Sequence, residues 1–271
     1  MPIPLEDTFT DIFNKAQCGL DISDRTLAEK SGASVEQIRR LRDGEFDRDT
    51  IEKVAPVLRL NAAALSAIGR NKWRPNEVGF LGLAQFNTPY HDITVNAYLL
   101  WDPESKEAVA FDTGADCSAM LRRSVKDRLV IKLILLTHAH SDHITDLRRL
   151  GDATGAPIFL SGREEAPGAQ SIDEGRTFTV GKLHIESRHT WGHSSGGMTY
   201  VVRGLTHPIA IVGDSLFAGS MGGGNVSYAD AVRNNLEKIL TLPNETVLCP
   251  GHGPMTTVGE EKVHNPFFAA S

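Results

Sequence analysis

Cysteines, long apolar runs and excess positive charge are all scarce in this 271-residue sequence, and each shortage excludes a class of protein. The three cysteines, Cys18, Cys117 and Cys249, are odd in number and far apart, so they indicate neither a disulfide framework nor a paired-thiolate metal site. No apolar run approaches the roughly 20 residues that span a bilayer. The formal net charge of −6 argues against bulk attraction to nucleic acid or to an anionic membrane.

The amino terminus also lacks the features of a secretory signal. Residues 1–7 have the sequence Met-Pro-Ile-Pro-Leu-Glu-Asp, which is acidic and is not followed by an apolar signal core. We therefore expect a cytoplasmic protein without a membrane partner.

Two segments of the chain differ in their secondary-structure pattern. Up to about Arg74 the sequence predicts short helices, with frequent turn residues and no alternating β pattern. Beyond Glu77 strand-like runs appear, at residues 93–100, 108–112, 129–136, 158–160, 183–187, 198–202, 209–212 and 246–248. Helices are predicted among them, at residues 118–126, 144–150 and 228–240. The pattern indicates a small all-α domain over residues 1–74 and an α/β domain over residues 75–271, with a polar, proline-bearing boundary at 71–76.

A dense cluster of potential metal ligands follows one of the predicted strands. Residues 137–143 have the sequence Thr-His-Ala-His-Ser-Asp-His and come directly after a buried apolar run. His138 and His140 are two residues apart in extended chain, so their side chains point the same way and can bind one ion together. Asp142 and His143 follow where the chain turns into a helix. Four candidate ligands within six residues exceed the needs of one catalytic ion, which suggests two neighbouring ions.

Further ligands for two ions are available later in the chain. The candidates are His193, Asp214 and His252, each next to a glycine that lets the backbone approach an ion closely. Imidazole nitrogen and carboxylate oxygen suit Zn²⁺, Fe²⁺ or Mn²⁺. The sequence therefore predicts two divalent metal ions as cofactors, with zinc as the first choice and iron or manganese as alternatives.

These motifs together resemble those of the metallo-β-lactamase fold superfamily. The matching segments are His-Ala-His-Ser-Asp-His at 138–143, Gly-His at 192–193, Gly-Asp-Ser-Leu-Phe from 213 and Pro-Gly-His-Gly-Pro from 250. The resemblance covers about residues 79–268 and implies an αββα sandwich with the ions at one edge, between the two sheets. It also implies a ligand set, in which the first ion is bound by His138, His140 and His193, the second by Asp142, His143 and His252, and both by Asp214. Asp112 lies in an Asp-Thr-Gly turn that resembles the superfamily's and would orient the site without binding an ion.

The chemistry expected of such a site is hydrolysis. Two cations that share a water lower its pKa toward neutrality, so a hydroxide can attack a carbonyl carbon that one ion polarises. Asp142 would act as the catalytic residue that orients this nucleophile and moves its proton. A small-molecule acyl substrate with a good leaving group, such as a thioester, fits best because no separate histidine or tyrosine acid is evident.

Finer features of the sequence bear on the branch of the superfamily. Residues 213–220 and 256–268 resemble the glyoxalase-II-like hydrolases, whereas residues 221–225 depart from that pattern, so hydroxyacylglutathione is not carried over as the substrate. His140 disfavours the flavodiiron branch, the absence of a cysteine ligand disfavours some β-lactamases, and Phe217 disfavours lactonases with a tyrosine after the bridging aspartate. A mononuclear-iron persulfide dioxygenase remains an alternative, because its ligand types are the same.

Residues 24–44 resemble the helix-turn-helix of Cro/C1-type repressors. Leu27 and Ala28 would face Ile38 and Leu41 on the next helix. In the same segment Gly32 would permit the turn, Ser34 would cap the second helix and Gly44 would end it.

This resemblance alone does not establish DNA binding. The possible DNA contacts are Ser34, Gln37, Arg39 and Arg40, but Glu36 would meet phosphate repulsion. Over residues 1–74, twelve Lys/Arg balance twelve Asp/Glu, whereas a DNA-binding domain is expected to be basic. A DNA-binding regulator whose metal domain senses or degrades a ligand therefore competes with a role of the helices in homodimer formation or as a lid.

Two segments are predicted to form loops over the metal ions. They are residues 86–93 and 221–228, in which His91, Asp92 or Tyr228 could touch a substrate, although ordinary loop packing is the favoured interpretation.

Overall fold

The computed structural model describes residues 2–270, and the first third of this range is helical. The helices here are α1 (Phe9–Gly19), α2 (Asp24–Ser31), α3 (Val35–Arg42), α4 (Arg48–Val54) and α5 (Ala62–Gly69). Each begins at a side chain that accepts a hydrogen bond from the first turn, and these caps are Thr8, Ser23, Ser34, Asp47 and Asn61. We call α1 to α5 the helical module.

The helical module has a hydrophobic core of its own. Leu27, Ile38 and Leu41 are buried in it, and Ala28 packs against it from the edge. Gly32 ends α2 with a φ of +72°, a conformation that glycine adopts without strain. The contacts expected between α2 and α3 are therefore present.

The rest of the chain forms two six-stranded sheets with helices. The strands are β1 (Leu83–Tyr90), β2 (Ile93–Trp101), β3 (Glu107–Phe111), β4 (Val130–Leu135), β5 (Ile158–Ser161), β6 (Ala169–Ile172), β7 (Thr177–Val180), β8 (Leu183–His189), β9 (Met198–Arg203), β10 (Ile209–Gly213), β11 (Val247–Pro250) and β12 (Thr256–Thr257). The helices are α6 (Ser118–Asp127), α7 (Ser141–Ile144), α8 (Leu147–Thr154), α9 (Tyr228–Asn234) and α10 (Val258–His264), and a π-helical turn (Asn235–Ile239) continues α9.

The sheets are ordered β1-β2-β3-β4-β5-β6 and β12-β11-β10-β9-β8-β7. In the first sheet β3 to β6 are parallel, and in the second sheet β10 and β11 are parallel whereas β7 to β10 alternate in direction. The carboxyl ends of β3 and β4 therefore meet at one edge, and those of β8, β10 and β11 meet at one edge of the other sheet.

Apolar side chains hold the sheets and helices together in layers. Between the sheets, Phe111 of the first sheet packs against Tyr200 of the second, with ring centroids 5.7 Å apart. On the outer face of the first sheet, Met120 of α6 and Leu150 of α8 belong to one buried cluster. On the outer face of the second sheet, Val258 of α10 belongs to another. The predicted αββα sandwich with a helical amino-terminal part is confirmed.

Several predicted element bounds are wrong. Residues 86–93 are not a loop, because β1 and β2 form an antiparallel hairpin whose turn lies at residues 91–92. The polar residues and Pro89 concealed β1, and proline is tolerated there because β1 is an edge strand. The helix predicted at 144–150 is two helices, α7 and α8, and the one at 228–240 changes to π-helical geometry after Asn234.

The helical module contacts the carboxyl-terminal end of the chain. Asn61 donates a backbone hydrogen bond to the Pro266 carbonyl (2.7 Å) and a side-chain hydrogen bond to the Ala270 carbonyl (2.8 Å). Phe267 packs against the core of the module, and Trp73 stacks on His264 with ring centroids 5.2 Å apart. Within residues 2–270 we find no helix with the length and apolar character needed to cross a membrane.

Candidate metal centre

All seven predicted ligands converge at the shared edge of the two sheets. His138 and His140 follow β4, and Asp142 and His143 lie in α7 directly after them. The other three come from the second sheet, where they follow β8, β10 and β11 as His193, Asp214 and His252. The parallel or alternating strand directions bring these carboxyl ends together, which explains why residues far apart in sequence meet.

The donor atoms form two groups within this edge. One group contains His138, His140, His193 and Asp214, and the other contains Asp142, His143 and His252; within each group the donor atoms lie within 4.8 Å of one another. His140 Nδ1 is 3.0 Å from His138 Nε2 and 3.1 Å from His193 Nε2. Asp142 Oδ2 is 3.3 Å from His252 Nε2. Each group therefore presents three or more donors to one point, as a metal ion requires.

Asp214 lies between the two groups. Its Oδ2 is 3.3 Å from His193 Nε2 and 3.4 Å from His252 Nε2. Its Oδ1 is 3.3 Å from His143 Nε2. One carboxylate therefore faces donors of both groups, which is the arrangement needed to bridge two cations.

Hydrogen bonds on the outer side of the rings fix which nitrogen points inward. His143 Nδ1 donates to Asp112 Oδ2 (2.9 Å), His193 Nδ1 to the Gly223 carbonyl (3.0 Å) and His252 Nδ1 to the Thr94 carbonyl (2.7 Å). Because each Nδ1 donates outward, each Nε2 faces the centre. Each ring is therefore turned so that its Nε2 can bind a metal ion once that nitrogen is deprotonated.

Two buried atoms of the centre lack a hydrogen bond. Within the described part of the chain, neither His143 Nε2 nor Asp214 Oδ1 has a hydrogen-bond partner. A buried polar atom without a partner is costly, and each such case in a native structure needs an explanation. A divalent cation would satisfy both atoms, so the residues present fit the ions that the sequence predicts.

The surroundings set the charge state of these groups. Burial favours neutral Asp214, but the charges of His252 and His143 hold the pKa of its carboxyl well below the usual range. Burial opposes protonation of His143 and His252, yet the charge of Asp214 raises the pKa of His143 to about 10 and that of His252 to about 11. Burial and the charge of His143 lower the pKa of His138. The centre thus combines a permanent negative charge with imidazoles that a cation would deprotonate.

Asp112 occupies the position expected of an orienting residue. It follows β3 with a φ of +56° and is buried. Besides its contact with His143, it accepts hydrogen bonds from Thr137 N (2.7 Å) and Thr137 Oγ1 (2.8 Å). Thr137 Oγ1 in turn lies 3.0 Å from His138 Nδ1. A single carboxylate therefore positions a histidine of each group.

Close packing at Gly251 explains why glycine precedes His252. A Cβ atom on Gly251 would overlap with Asp214 Oδ1 and lie 2.6 Å from His143 Cε1. No side chain can be accommodated at this position without displacing the centre.

Sequence reasoning missed several residues that position the loops of the centre. Asn96 is fully buried in β2 and its Nδ2 donates to the carbonyls of Pro250 (2.9 Å) and Gly253 (2.8 Å), on both sides of His252. Glu164 accepts hydrogen bonds from Ala139 N (2.7 Å) and Gly196 N (2.9 Å). These residues act through backbone groups of distant segments, for which a sequence motif gives no signal.

The three residues predicted to contact a substrate are His91, Asp92 and Tyr228, and they lie in different surroundings. His91 and Asp92 are exposed at the tip of the hairpin, and the ring of His91 packs against Tyr90 with centroids 4.6 Å apart. Tyr90 Oη lies 2.9 Å from Ser141 Oγ, next to Asp142. Tyr228 begins α9 and packs against Gly19 of the helical module.

The possible DNA contacts are engaged within the module. Ser34 and Gln37 cap α3 reciprocally, since Ser34 Oγ accepts from Gln37 N (3.2 Å) and Gln37 Oε1 accepts from Ser34 N (2.8 Å). Arg40 pairs with Glu45 (2.6 Å), and Arg39 lies 3.8 Å from Asp24. The side chains of Arg39 and Arg40 nevertheless remain 62% and 60% exposed.

A two-sheet sandwich with paired histidine and aspartate donor groups at one edge defines a class of metal-dependent proteins. The profile of the metallo-beta-lactamase superfamily matches residues 92–252, and the chain belongs to this superfamily. The helical module lies outside the matched residues.

The regions that align with two curated relatives span most of the length of each relative. The probable metallo-hydrolase YqgX of Bacillus subtilis is 31% identical over 206 residues, which are 66% of this chain and 94% of YqgX. The hydroxyacylglutathione hydrolase GloC of Haemophilus influenzae is 29% identical over 197 residues, 64% of this chain and 92% of GloC.

Solved structures show the same fold. BLEG-1, a B3 metallo-beta-lactamase, is 30% identical with a TM-score of 0.59 and is matched over 69% of this chain and 100% of its own. TTHA1623 in a di-iron-bound form is 28% identical with a TM-score of 0.56, over 67% of this chain and 99% of its own. ETHE1 from Myxococcus xanthus is 24% identical with a TM-score of 0.61, over 69% of this chain and 84% of its own, and this likeness concerns the fold alone.

Proposed function

We propose that this chain is a metal-dependent hydrolase of small activated acyl substrates, with thioesters as the foremost class. The observation that carries the proposal is the pair of donor groups that share Asp214, with unpaired buried atoms facing inward. Bound there, two divalent cations would lower the pKa of a shared water and polarise a substrate carbonyl. His138, His140 and His193 would hold one cation, Asp142, His143 and His252 the other, and Asp214 both.

Asp142 is the residue that we assign to the nucleophile. Its side chain is 13% exposed whereas that of Asp214 is 7% exposed, so it is the more accessible carboxylate of the centre. The hydrogen bond with His252 helps to hold the pKa of Asp142 below its usual value against the effect of burial. An ionised carboxylate at this position can orient a water molecule and accept its proton.

Thioesters are favoured because their leaving group needs little protonation. GloC is a hydroxyacylglutathione hydrolase, and residues 213–220 share the glyoxalase-II-like pattern, which supports this branch. Zinc is the first choice of metal, and the di-iron form of TTHA1623 keeps iron as an alternative.

The deciding experiment combines metal analysis with a substrate panel. The purified protein, loaded with zinc, iron or manganese, is assayed against thioesters, lactones, β-lactams and glutathione persulfide. We expect two ions per chain and thioester hydrolysis that stops after chelation and returns with metal. One iron per chain with oxygen uptake on the persulfide would support the dioxygenase alternative, and activity that survives complete chelation would refute both.

We infer that the helical module serves the metal centre and not DNA. Support comes from the intramolecular partners of Ser34, Gln37, Arg39 and Arg40 and from the module's contacts with the carboxyl-terminal residues. Mobility-shift titration with genomic DNA is expected to show no binding even at low salt. A salt-dependent shift would support the alternative of a DNA-binding regulator, and sedimentation analysis tests the predicted homodimer.

A further inference from the structure

The helical module packs on the loop that positions His193. Lys15 of α1 donates a hydrogen bond to the Met221 carbonyl (2.9 Å). Gly19, at the end of α1, lies so close to the Tyr228 ring that a Cβ atom there would overlap with it. The loop between Met221 and Tyr228 contains Gly223, whose carbonyl accepts the hydrogen bond from His193. The helical module therefore packs against a loop that contacts the metal centre directly.

The residues before α1 contact a second loop of the metal centre, the one that carries His252. We call residues 3–7 the strap. A Cβ atom on Gly253 would lie 3.1 Å from Glu6 N, 3.4 Å from Glu6 Cβ and 3.6 Å from the Pro4 carbonyl oxygen, so the strap lies directly on the loop of His252. Asp7 fastens it, because its Oδ2 accepts hydrogen bonds from Ser220 Oγ (2.5 Å) and Lys15 Nζ (2.5 Å).

Glu6 is the unpaired charge of the strap. Its side chain is half-buried, and among residues 2–270 it forms no ion pair or side-chain hydrogen bond. Burial raises the pKa of its carboxyl, and the charges of His252, Asp7, Asp214 and Lys15 also affect this pKa. Lys15 does not neutralise it, since its ammonium group pairs with Asp7 and lies 5.0 Å above the ring of Phe217. Phe217 in turn packs against His252, with ring centroids 5.6 Å apart.

We propose that Glu6 is a specificity-determining residue, which favours substrates with a cationic group on the His252 side of the centre and disfavours substrates with a carboxylate there. A half-buried carboxylate without a partner attracts a cation strongly, because the nearby protein lowers the effective dielectric constant. A substrate carboxylate would meet repulsion at the same place. This inference rests on the proposed function only in that the substrate binds at the metal centre.

The residues to which we assign this substrate preference lie outside the region that matches the superfamily profile. The profile covers residues 92–252, whereas the strap and Lys15 precede it. Residues added to a common catalytic fold are a usual means of changing substrate preference without changing the chemistry.

The test compares two thiols that differ in the sign of one charge. Cysteamine and 3-mercaptopropionate both place a charged group two carbons from a sulfur that can bind a metal ion. Their dissociation constants are measured by absorption titration of the cobalt-loaded protein at pH 8. Because the two thiols ionise to different extents, the readout is the ratio of their dissociation constants in each protein. We expect this ratio to favour cysteamine about tenfold more in the wild-type protein than in a variant without the Glu6 carboxylate, a difference of ~1.4 kcal/mol.

The variants assign this preference to one side chain. Glu6→Gln should shift the ratio about tenfold toward 3-mercaptopropionate, and Glu6→Asp should shift it less because the charge is kept. Glu29→Gln, which removes an exposed carboxylate on α2, is the matched control and should leave the preference unchanged. Metal content and circular dichroism verify that each variant is folded.

Thiol binding requires no turnover, so this result is independent of whether thioesters are hydrolysed. A ratio of dissociation constants that is the same in the wild-type protein and in Glu6→Gln would overturn the inference. Failure of both thiols to bind the wild-type protein would overturn it as well, because a ligand at the ions would then not reach Glu6.

Discussion

Replacement of Asp112 by asparagine tests how the centre is organised. Asp112 Oδ2 accepts hydrogen bonds from His143 Nδ1 (2.9 Å) and Thr137 Oγ1 (2.8 Å), and its Oδ1 accepts one from Thr137 N (2.7 Å). Asparagine offers one acceptor in place of two. The backbone N–H of Thr137 cannot change its role, so the new amide group should face His143, whose Nδ1 must then become the acceptor. The proton moves to Nε2, which faces the ions.

The proton on His143 Nε2 determines how much the metal affinity of Asp112→Asn should fall. Loss of an outer partner of a metal-binding histidine typically costs 10–100-fold in metal affinity, about 1.4–2.7 kcal/mol. Because His143 belongs to the group with Asp142 and His252, the second ion should be weakened by this factor. The ion held by His138 and its neighbours should be weakened less. Asparagine tolerates the positive φ of Asp112, so the fold should persist.

Competition with a chromophoric chelator measures both ions separately. The matched control is Asp116→Asn, in which an exposed carboxylate of the same segment is changed. We expect the control to bind two ions as the wild-type protein does, and Asp112→Asn to bind one tightly and one weakly. Unchanged affinity for both ions in Asp112→Asn would refute the assignment of Asp112, and equal weakening of both would refute the division into two groups.

Four further predictions concern packing and pH. In Gly251→Ala the new methyl group overlaps with Asp214 Oδ1, so elemental analysis should find almost no bound metal while circular dichroism is unchanged; retention of two ions would contradict the geometry. The pKa values of about 10 for His143 and about 11 for His252 mean that metal binding should release protons at pH 7–8, detectable by calorimetry in buffers of different ionisation enthalpy. For the metal-free protein, these raised values contribute stability that is present below about pH 6.5 and lost as the pH rises through 10 to 11, so denaturant midpoints should fall there. Burial raises the pKa of Glu261 to about 7, so the folded chain holds this proton more tightly than the unfolded chain, and its contribution to stability is lost between about pH 4.5 and 7; Glu261→Gln should flatten that decline, and an unchanged slope would count against it.

The metal centre was predictable because its information is concentrated in short segments. The seven ligands lie in four short segments that come after β4, β8, β10 and β11, and glycines mark the close approaches, so the local sequence alone suggests metal chemistry. The αββα architecture was predictable through the resemblance that these motifs carry. Apolar, β-branched runs also identified the central strands, which are buried on both faces.

Edge strands and connections between distant segments were not predictable in the same way. β1 contains Gln85, Asn87 and Pro89, because an edge strand needs few apolar residues and tolerates a missing N–H group. The positions of Asn96 and Glu164 depend on loops that lie far away in sequence. Their side chains bond to backbone groups of those loops, and the sequence has no periodic or motif signal for such contacts.

The last residues of the chain have a consequence for its unfolding. Phe267 is partly buried against the helical module, and Asn61 donates hydrogen bonds to two carbonyl groups near the carboxyl terminus. The module is thus attached at both ends, by covalent chain on one side and by the tail on the other. If either the helical module or the two-sheet part of the chain melts, apolar surface of the other part is exposed. Thermal denaturation should therefore proceed as one cooperative transition. Removal of residues 266–270 should divide that transition into two.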